Sequence, residues 1–150
     1  MDTNNALRQQ FATIRRSLFD DGILHECYKS LEEWAESENS IFDQELMNMH
    51  ISYTAETIPI IEQLIEQVNF DLNKLQGILQ RLQGSSNGVG ANKVTKTTKL
   101  MREFVKEGDL ERIITAFQQL KKEHSTLQSR IEPYYQLRAS ENARPSECKD

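Results

Sequence analysis

The chain has 150 residues, of which 37% are hydrophobic, and carries a formal charge of −5. That length suits one domain with one core. The acidic balance argues against general nucleic-acid binding while leaving room for a local basic face, and no apolar run approaches the roughly 20 residues that a membrane-spanning helix needs.

Cys27 and Cys148 are the only cysteines. Cys148 lies in a polar segment, so no structural disulfide is expected and a reducing interior is the natural setting. The first residues carry no signal-peptide pattern, and the expectation is a soluble intracellular chain. Only three prolines and six glycines occur, and no alternating run bounded by turn residues is present. An all-helical domain follows.

Met1 to Asp20 reads as a first helix, with Leu7, Phe11, Ile14 and Leu18 on one face. Asp20-Asp21-Gly22 is a break, and Asp21 is a candidate cap for the next helix. That second helix is predicted from about Gly22 to Ala35, with Leu24, Cys27, Tyr28, Leu31 and Trp34 on its apolar side and Ile23 exposed. After a polar link at Ser37–Ser40, a long helix is predicted from Ile41 to Val68. Phe42, Leu46, Met49 and Tyr53 set the inner face of its first half; Ile58, Ile61, Leu64, Ile65 and Val68 set the second. Pro59 interrupts this pattern, and an unbent helix would lose about 3 kcal/mol there. A kink or local opening between Ala55 and Pro59 is predicted.

Asn69-Phe70-Asp71 turns the chain into a central helix. Leu72, Leu75, Leu79 and Leu82 recur at three- and four-residue spacing and form its buried stripe. Gly77, Gln80 and Gly84 fall together on another face. Each glycine inside a helix costs about 1 kcal/mol relative to alanine. They could face a neighbouring helix of the same fold, Gly84 could begin the helix end, or the smooth face could admit a partner. Gly88 and Gly90 break the chain. The next helix, from about Ala91 to Lys106, buries Val94, Met101 and Phe104, with Thr97 and Val105. Its other side carries Lys93, Lys96, Lys99, Arg102 and Lys106. Gly108 stops it and Asp109 caps the last helix, predicted from Leu110 to Leu137. Ile113, Phe117, Leu120, Leu127, Ile131 and Tyr134 mark the inner face of that helix, and Pro133 bends its final turns. Residues 1–138 form the domain, and 139–150 a loose polar tail. Four longer helices with short links favour an antiparallel up-down four-helix bundle, with two additional N-terminal helices covering one side.

The run Gln80-Arg81-Leu82-Gln83-Gly84-Ser85-Ser86-Asn87-Gly88-Val89-Gly90-Ala91 resembles the active-site helix of plant histidine-containing phosphotransfer proteins. There the phosphorylatable histidine is followed by a lysine at the third residue, then glycine, two serines and a later Gly-Ala. Gly84, Ser85, Ser86, Gly90 and Ala91 match in order and spacing. Gln80 stands at the histidine position and Gln83 at the lysine position. Gly22-Ile23-Leu24-His25-Glu26-Cys27-Tyr28 is similar to the family's second-helix opening, and Phe117 to His124 to its last helix. Pro59 departs from the pattern.

The resemblance implies a pseudo-phosphotransfer protein that keeps a docking surface and lacks the phosphate acceptor. Imidazole accepts phosphate through a free nitrogen lone pair. The glutamine amide nitrogen has its lone pair drawn into the carbonyl, so Gln80 can fill the place without the chemistry. Gln83 offers only neutral donors where a lysine would offset phosphoryl charge. Arg81, placed on a different side of the helix, is a partial substitute.

The implied partners are receiver domains of hybrid histidine kinases and response regulators, met by Gln80, Gln83, Gly84, Gly77, Arg81 and Ser85. Apolar contact from Ile23, Leu24 and Cys27 would complete the surface. The implied role is negative regulation of cytokinin signalling, in cytosol and nucleus, by a monomer that is not an enzyme. No metal or cofactor site is expected, since His25, His50 and His124 are dispersed and no phosphate-cradling loop occurs. Two other readings stay open: a working phosphocarrier on another histidine, His50 foremost, and a helical adaptor outside any phosphorelay.

Overall fold

The structure, a computed structural model, describes the backbone of residues 2–142 and the side chains of residues 5–140. Six helices follow one another: α1 (Asp2–Asp20), α2 (Cys27–Ser37), α3 (Phe42–Glu66), α4 (Leu72–Gly88), α5 (Asn92–Glu107) and α6 (Leu110–Asn142). Helices α3–α6 form the expected bundle, with α4 against α3 and α5, and α6 against α3 and α5. Helix α1 lies on α6 and α2 on α3. The core runs through Leu75, Leu79, Leu82, Met101, Ile113, Leu120 and Leu127, all buried. Short links enforce the up-down order. Asp71 caps α4 through the amides of Asn73 and Lys74, at 2.9 and 3.1 Å. Gly108 at φ +68° ends α5, and Asp109 accepts from the Arg112 amide at 3.2 Å.

The start of α2 differs from expectation. Gly22, at φ +72°, closes α1, with the Ile23 amide returning to the Leu18 carbonyl at 3.0 Å. The chain then crosses the α4–α5 turn at Leu24 and His25. Leu24 bridges Ala91, the His25 amide donates to the Gly90 carbonyl at 2.8 Å, and the Asn92 side chain donates to the Gly22 carbonyl at 2.8 Å. Helix α2 therefore begins at Cys27, where His25 Nδ1 accepts from the Cys27 amide at 3.0 Å. Asp21 is no cap; it pairs with Arg130 at 2.7 Å. Ile23, expected exposed, is 4% exposed because the crossing turns it inward.

Helix α3 also presents a different face. Its first half buries Asp43, Met47, His50, Ile51 and Thr54, while Phe42 and Met49 are exposed and Leu46 and Tyr53 half-buried. The two stripes are about one residue apart around the helix. The polar one lies inward because its groups find partners there. Pro59 does not open the helix, which is continuous through this region. The proline is exposed, and so is Ala55, so water can reach the carbonyl that loses its amide donor. Val68 lies past the helix end at 90% exposure, and Trp34 and Leu72 are exposed rather than core.

Helix α6 passes Leu137 and includes residues 139–142, so these do not belong to a loose tail; the remainder of the expected tail, Cys148 included, lies outside the described residues. Its last turns are held by polar pairs. Arg138 donates to both oxygens of Asp43 at 2.7 and 3.1 Å. Tyr28 donates to Asp43 at 3.1 Å and shares a hydrogen bond of 2.6 Å with Tyr135. Tyr134 bonds Glu32, which also receives Arg15. Burial pushes all three phenols up, so they stay protonated donors.

Two histidines are buried between α3 and α6. Burial, with the nearby His124 ring, pushes His50 down to about 4, and burial lowers His124 as well. His124 Nδ1 has no hydrogen-bond partner among the described residues.

Arg138→Ala leaves the fully buried Asp43 carboxylate without its cation and is expected to destabilise the fold by about 3–5 kcal/mol. Tyr28→Phe removes hydrogen bonding alone and should cost about 1 kcal/mol. Urea midpoints of the two variants check the order, and equal losses would refute it. The histidines set an acid limit. The unfolded chain protonates first as pH falls below about 6.5, so the stability that neutral His50 contributes is complete above that value and is lost as pH falls toward 4. Between pH 7 and 5 the loss from His50 is about 2 kcal/mol. Unfolding of His50→Phe at both pH values should show a smaller drop than the unaltered protein; an identical drop would clear His50 of that role.

Candidate functional site

Helix α4 carries two parallel strips on its outer side. Gly77, Arg81, Gly84 and Gly88 follow one another at three- and four-residue steps on the α3 side, and Gln76, Gln80 and Gln83 form the next strip toward α5. The helix runs to Gly88, so Gly84 does not begin its end. A Cβ added at Gly84 would meet nothing within 4 Å. One added at Gly77 would meet only the tip of Arg81, at 3.9 Å. No neighbouring helix explains either glycine, and each costs about 1 kcal/mol. Arg81 therefore lies back along the glycine strip, on the same side as Gly77, rather than on a separate face.

Gln80 is exposed at the middle of this surface. No imidazole stands there, and its amide can only donate and accept hydrogen bonds. Gln83 is half-buried, with its Oε1 2.8 Å from Arg102 Nη1. The two serines divide their work. Ser86 is buried, donates to the Gln83 carbonyl at 3.0 Å and accepts from Thr95 at 2.8 Å, tying α4 to α5. Ser85 Oγ lies 2.9 Å from His50 Nδ1. Thr54 donates its hydroxyl to the His50 carbonyl at 2.8 Å and so turns a lone pair to His50 Nε2, 3.5 Å away. That makes Nε2 the protonated nitrogen and Nδ1 the acceptor from Ser85. His50 is 2% exposed, and its accepting nitrogen is occupied.

Between α3 and α4 lies an open groove of about 530 Å³, lined by Leu46, Met49, Tyr53, Arg81, Gly84 and Val89, with His50 and Ser85 at its base. Spacing alone assigns the three α3 side chains to the core, whereas the structure places them on this groove. The signal for their true place was a helix with two apolar stripes, one of them mixed with polar residues; only one could face inward. Arg102 was visible only as one of several basic residues on α5.

Of the three apolar candidates near the α1–α2 link, only Cys27 is exposed, and Ile23 and Leu24 are buried. Cys27 Sγ lies 4.0 Å from the Asn87 carbonyl, at the end of α4. Gly90, at φ +68°, permits this approach: a Cβ there would sit 3.2 Å from both Cys27 Sγ and the Tyr28 amide. Among the described residues no three His, Cys, Asp or Glu side chains form a possible metal cluster, and no helix is long and apolar enough to cross a membrane.

No family model matches the chain. It is 37% identical over 115 residues to histidine-containing phosphotransfer protein 4 of Arabidopsis thaliana, covering 77% of this chain and 91% of that protein. It is 31% identical over 131 residues to pseudo histidine-containing phosphotransfer protein 5 of Oryza sativa subsp. japonica, covering 87% and 86%. Among solved structures, the histidine-containing phosphotransfer protein MtHPt2 of Medicago truncatula superposes with a TM-score of 0.86 at 22% identity, over 91% of this chain and 93% of that one, which shows a shared fold. With this likeness across nearly the whole bundle, the chain belongs to the plant histidine-containing phosphotransfer protein family.

Proposed function

We propose that this protein is a pseudo-phosphotransfer protein. It binds receiver domains of hybrid histidine kinases and response regulators without accepting phosphate. It thereby competes with phosphate-carrying relatives and acts as a negative regulator of cytokinin signalling in cytosol and nucleus, as a monomer. The observation that carries this reading is the exposed Gln80 between glycines that no internal packing requires. A surface kept smooth at a cost in helix stability is suited to close approach by another molecule, and an amide at its centre cannot form a phosphoramidate. The names of three rice relatives, each a pseudo histidine-containing phosphotransfer protein, support it.

The docking surface in this reading comprises Gln80, Gly77, Arg81, Gly84 and the edges of Ser85 and Gln83, with Cys27 at its end. Ile23 and Leu24 act from beneath by holding Cys27 in place. The groove residues Leu46, Met49 and Tyr53 extend the surface toward α3. A working carrier on His50 is disfavoured by that ring's burial and by its hydrogen bond to Ser85.

Incubation with a phosphorylated receiver domain should give a complex and no acid-labile label on this chain. Label on the unaltered protein would overturn the reading. Gln80→His should restore detectable label, because the substituted residue is exposed and the fold beneath is untouched. Gly84→Phe should leave the thermal midpoint within a few degrees, since the position is open to solvent, while weakening receiver binding about tenfold or more. Unchanged binding in a folded Gly84→Phe variant would place docking elsewhere.

A further inference from the structure

The loss of the lysine expected three residues after the acceptor position reads as a loss of charge. The structure supplies a cation from another helix. Arg102, half-buried on α5, donates from Nε to Gln76 Oε1 at 3.0 Å and from Nη1 to Gln83 Oε1 at 2.8 Å. Gln76 returns a bond from Nε2 to the Arg102 carbonyl at 3.2 Å. Gln76 precedes Gln80 by one turn and Gln83 follows it by one turn. A single guanidinium thus bridges the turns on either side of Gln80. Nη2 makes no hydrogen bond among the described residues, so donors remain for a partner.

We propose that Gln83 is a positioning residue: its carbonyl oxygen, with that of Gln76, clamps the Arg102 guanidinium beside Gln80, so that Arg102 presents the fixed positive charge of the docking face to an acidic receiver surface. This rests on the receiver-binding reading above. A lysine at position 83 could not do this work, because an ammonium has no acceptor and would repel the guanidinium. Glutamine serves both needs, since it is neutral and carries an oxygen. The planar fork of arginine suits two carbonyl oxygens from one helix; a lysine at position 102 would keep the charge and lose the fixed orientation.

Affinity for an isolated receiver domain of a plant hybrid histidine kinase, measured at low and moderate salt, tests the proposal. Arg102→Ala should weaken binding about tenfold and flatten its salt dependence. Arg102→Lys should fall between the two. Gln83→Ala should weaken binding about threefold alone and have no further effect in the Arg102→Ala background, because it acts through the arginine. Arg102→Ala binding within about twofold of the unaltered protein overturns the proposal, as does full additivity of the two substitutions. If the unaltered protein binds no receiver, the docking reading fails, and the clamp is still read by itself. The Arg102 Nε–H resonance should be protected from solvent exchange, with protection lost in Gln83→Lys and in the Gln76→Ala, Gln83→Ala pair. Protection unchanged by these substitutions overturns the clamp whether or not any receiver binds.

Discussion

At Gly90 the turn between α4 and α5 passes against the start of α2 with no room for a side chain. A Cβ there would press on the Cys27 sulfur and on the Tyr28 main chain at 3.2 Å. The positive φ of Gly90 and the hydrogen bond from the His25 amide to its carbonyl fix that crossing. From it follow the burial of Ile23 and Leu24, the late start of α2 and the place of Cys27 beside the last turn of α4. The N-terminal helices are thus registered on the bundle at the end of the candidate site. A shift at this crossing would move Cys27, Tyr28 and the end of α4 together.

The bundle holds more polar material than its apolar spacing suggests. Asp43 is fully buried and carries an arginine and a tyrosine. His50 reaches across to Ser85, and Thr95 to Ser86. These bonds are directional where leucine contacts are not. They join α2 and α3 to the far end of α6, and α4 to both of its neighbours. Apolar contact supplies most of the driving force for folding, while the polar pairs select one register among several that a leucine-rich bundle would accept.

Much of this was legible in the chain. Helix count, the Asp109 cap and the inner faces of α5 and α6 followed from spacing and capping residues, as did the inner face of α4 apart from the exposed Leu72. So did the smooth face around Gln80. The errors cluster where two patterns competed. In α3 the stripe Phe42, Leu46, Met49, Tyr53 is more apolar than the stripe that is buried, because Asp43, His50 and Thr54 find partners on other helices. Such partners lie far away in sequence and leave no local trace. At Gly22–Glu26 a main-chain bridge to Ala91 replaced the helix that local propensity favoured. Arg102 was one cation among several on α5 until its two glutamine partners, 26 and 19 residues away, were placed.

The Gln80 side chain makes no hydrogen bond among the described residues and faces solvent beside an open glycine. The core therefore carries no record of which side chain stands there. Glutamine and histidine codons differ only in their third base, so one nucleotide separates the amide from an imidazole at this position. The same bundle can host either side chain with no repacking. In this architecture that one surface side chain can change at almost no structural cost, and the stability of the fold gives selection no grip on the choice.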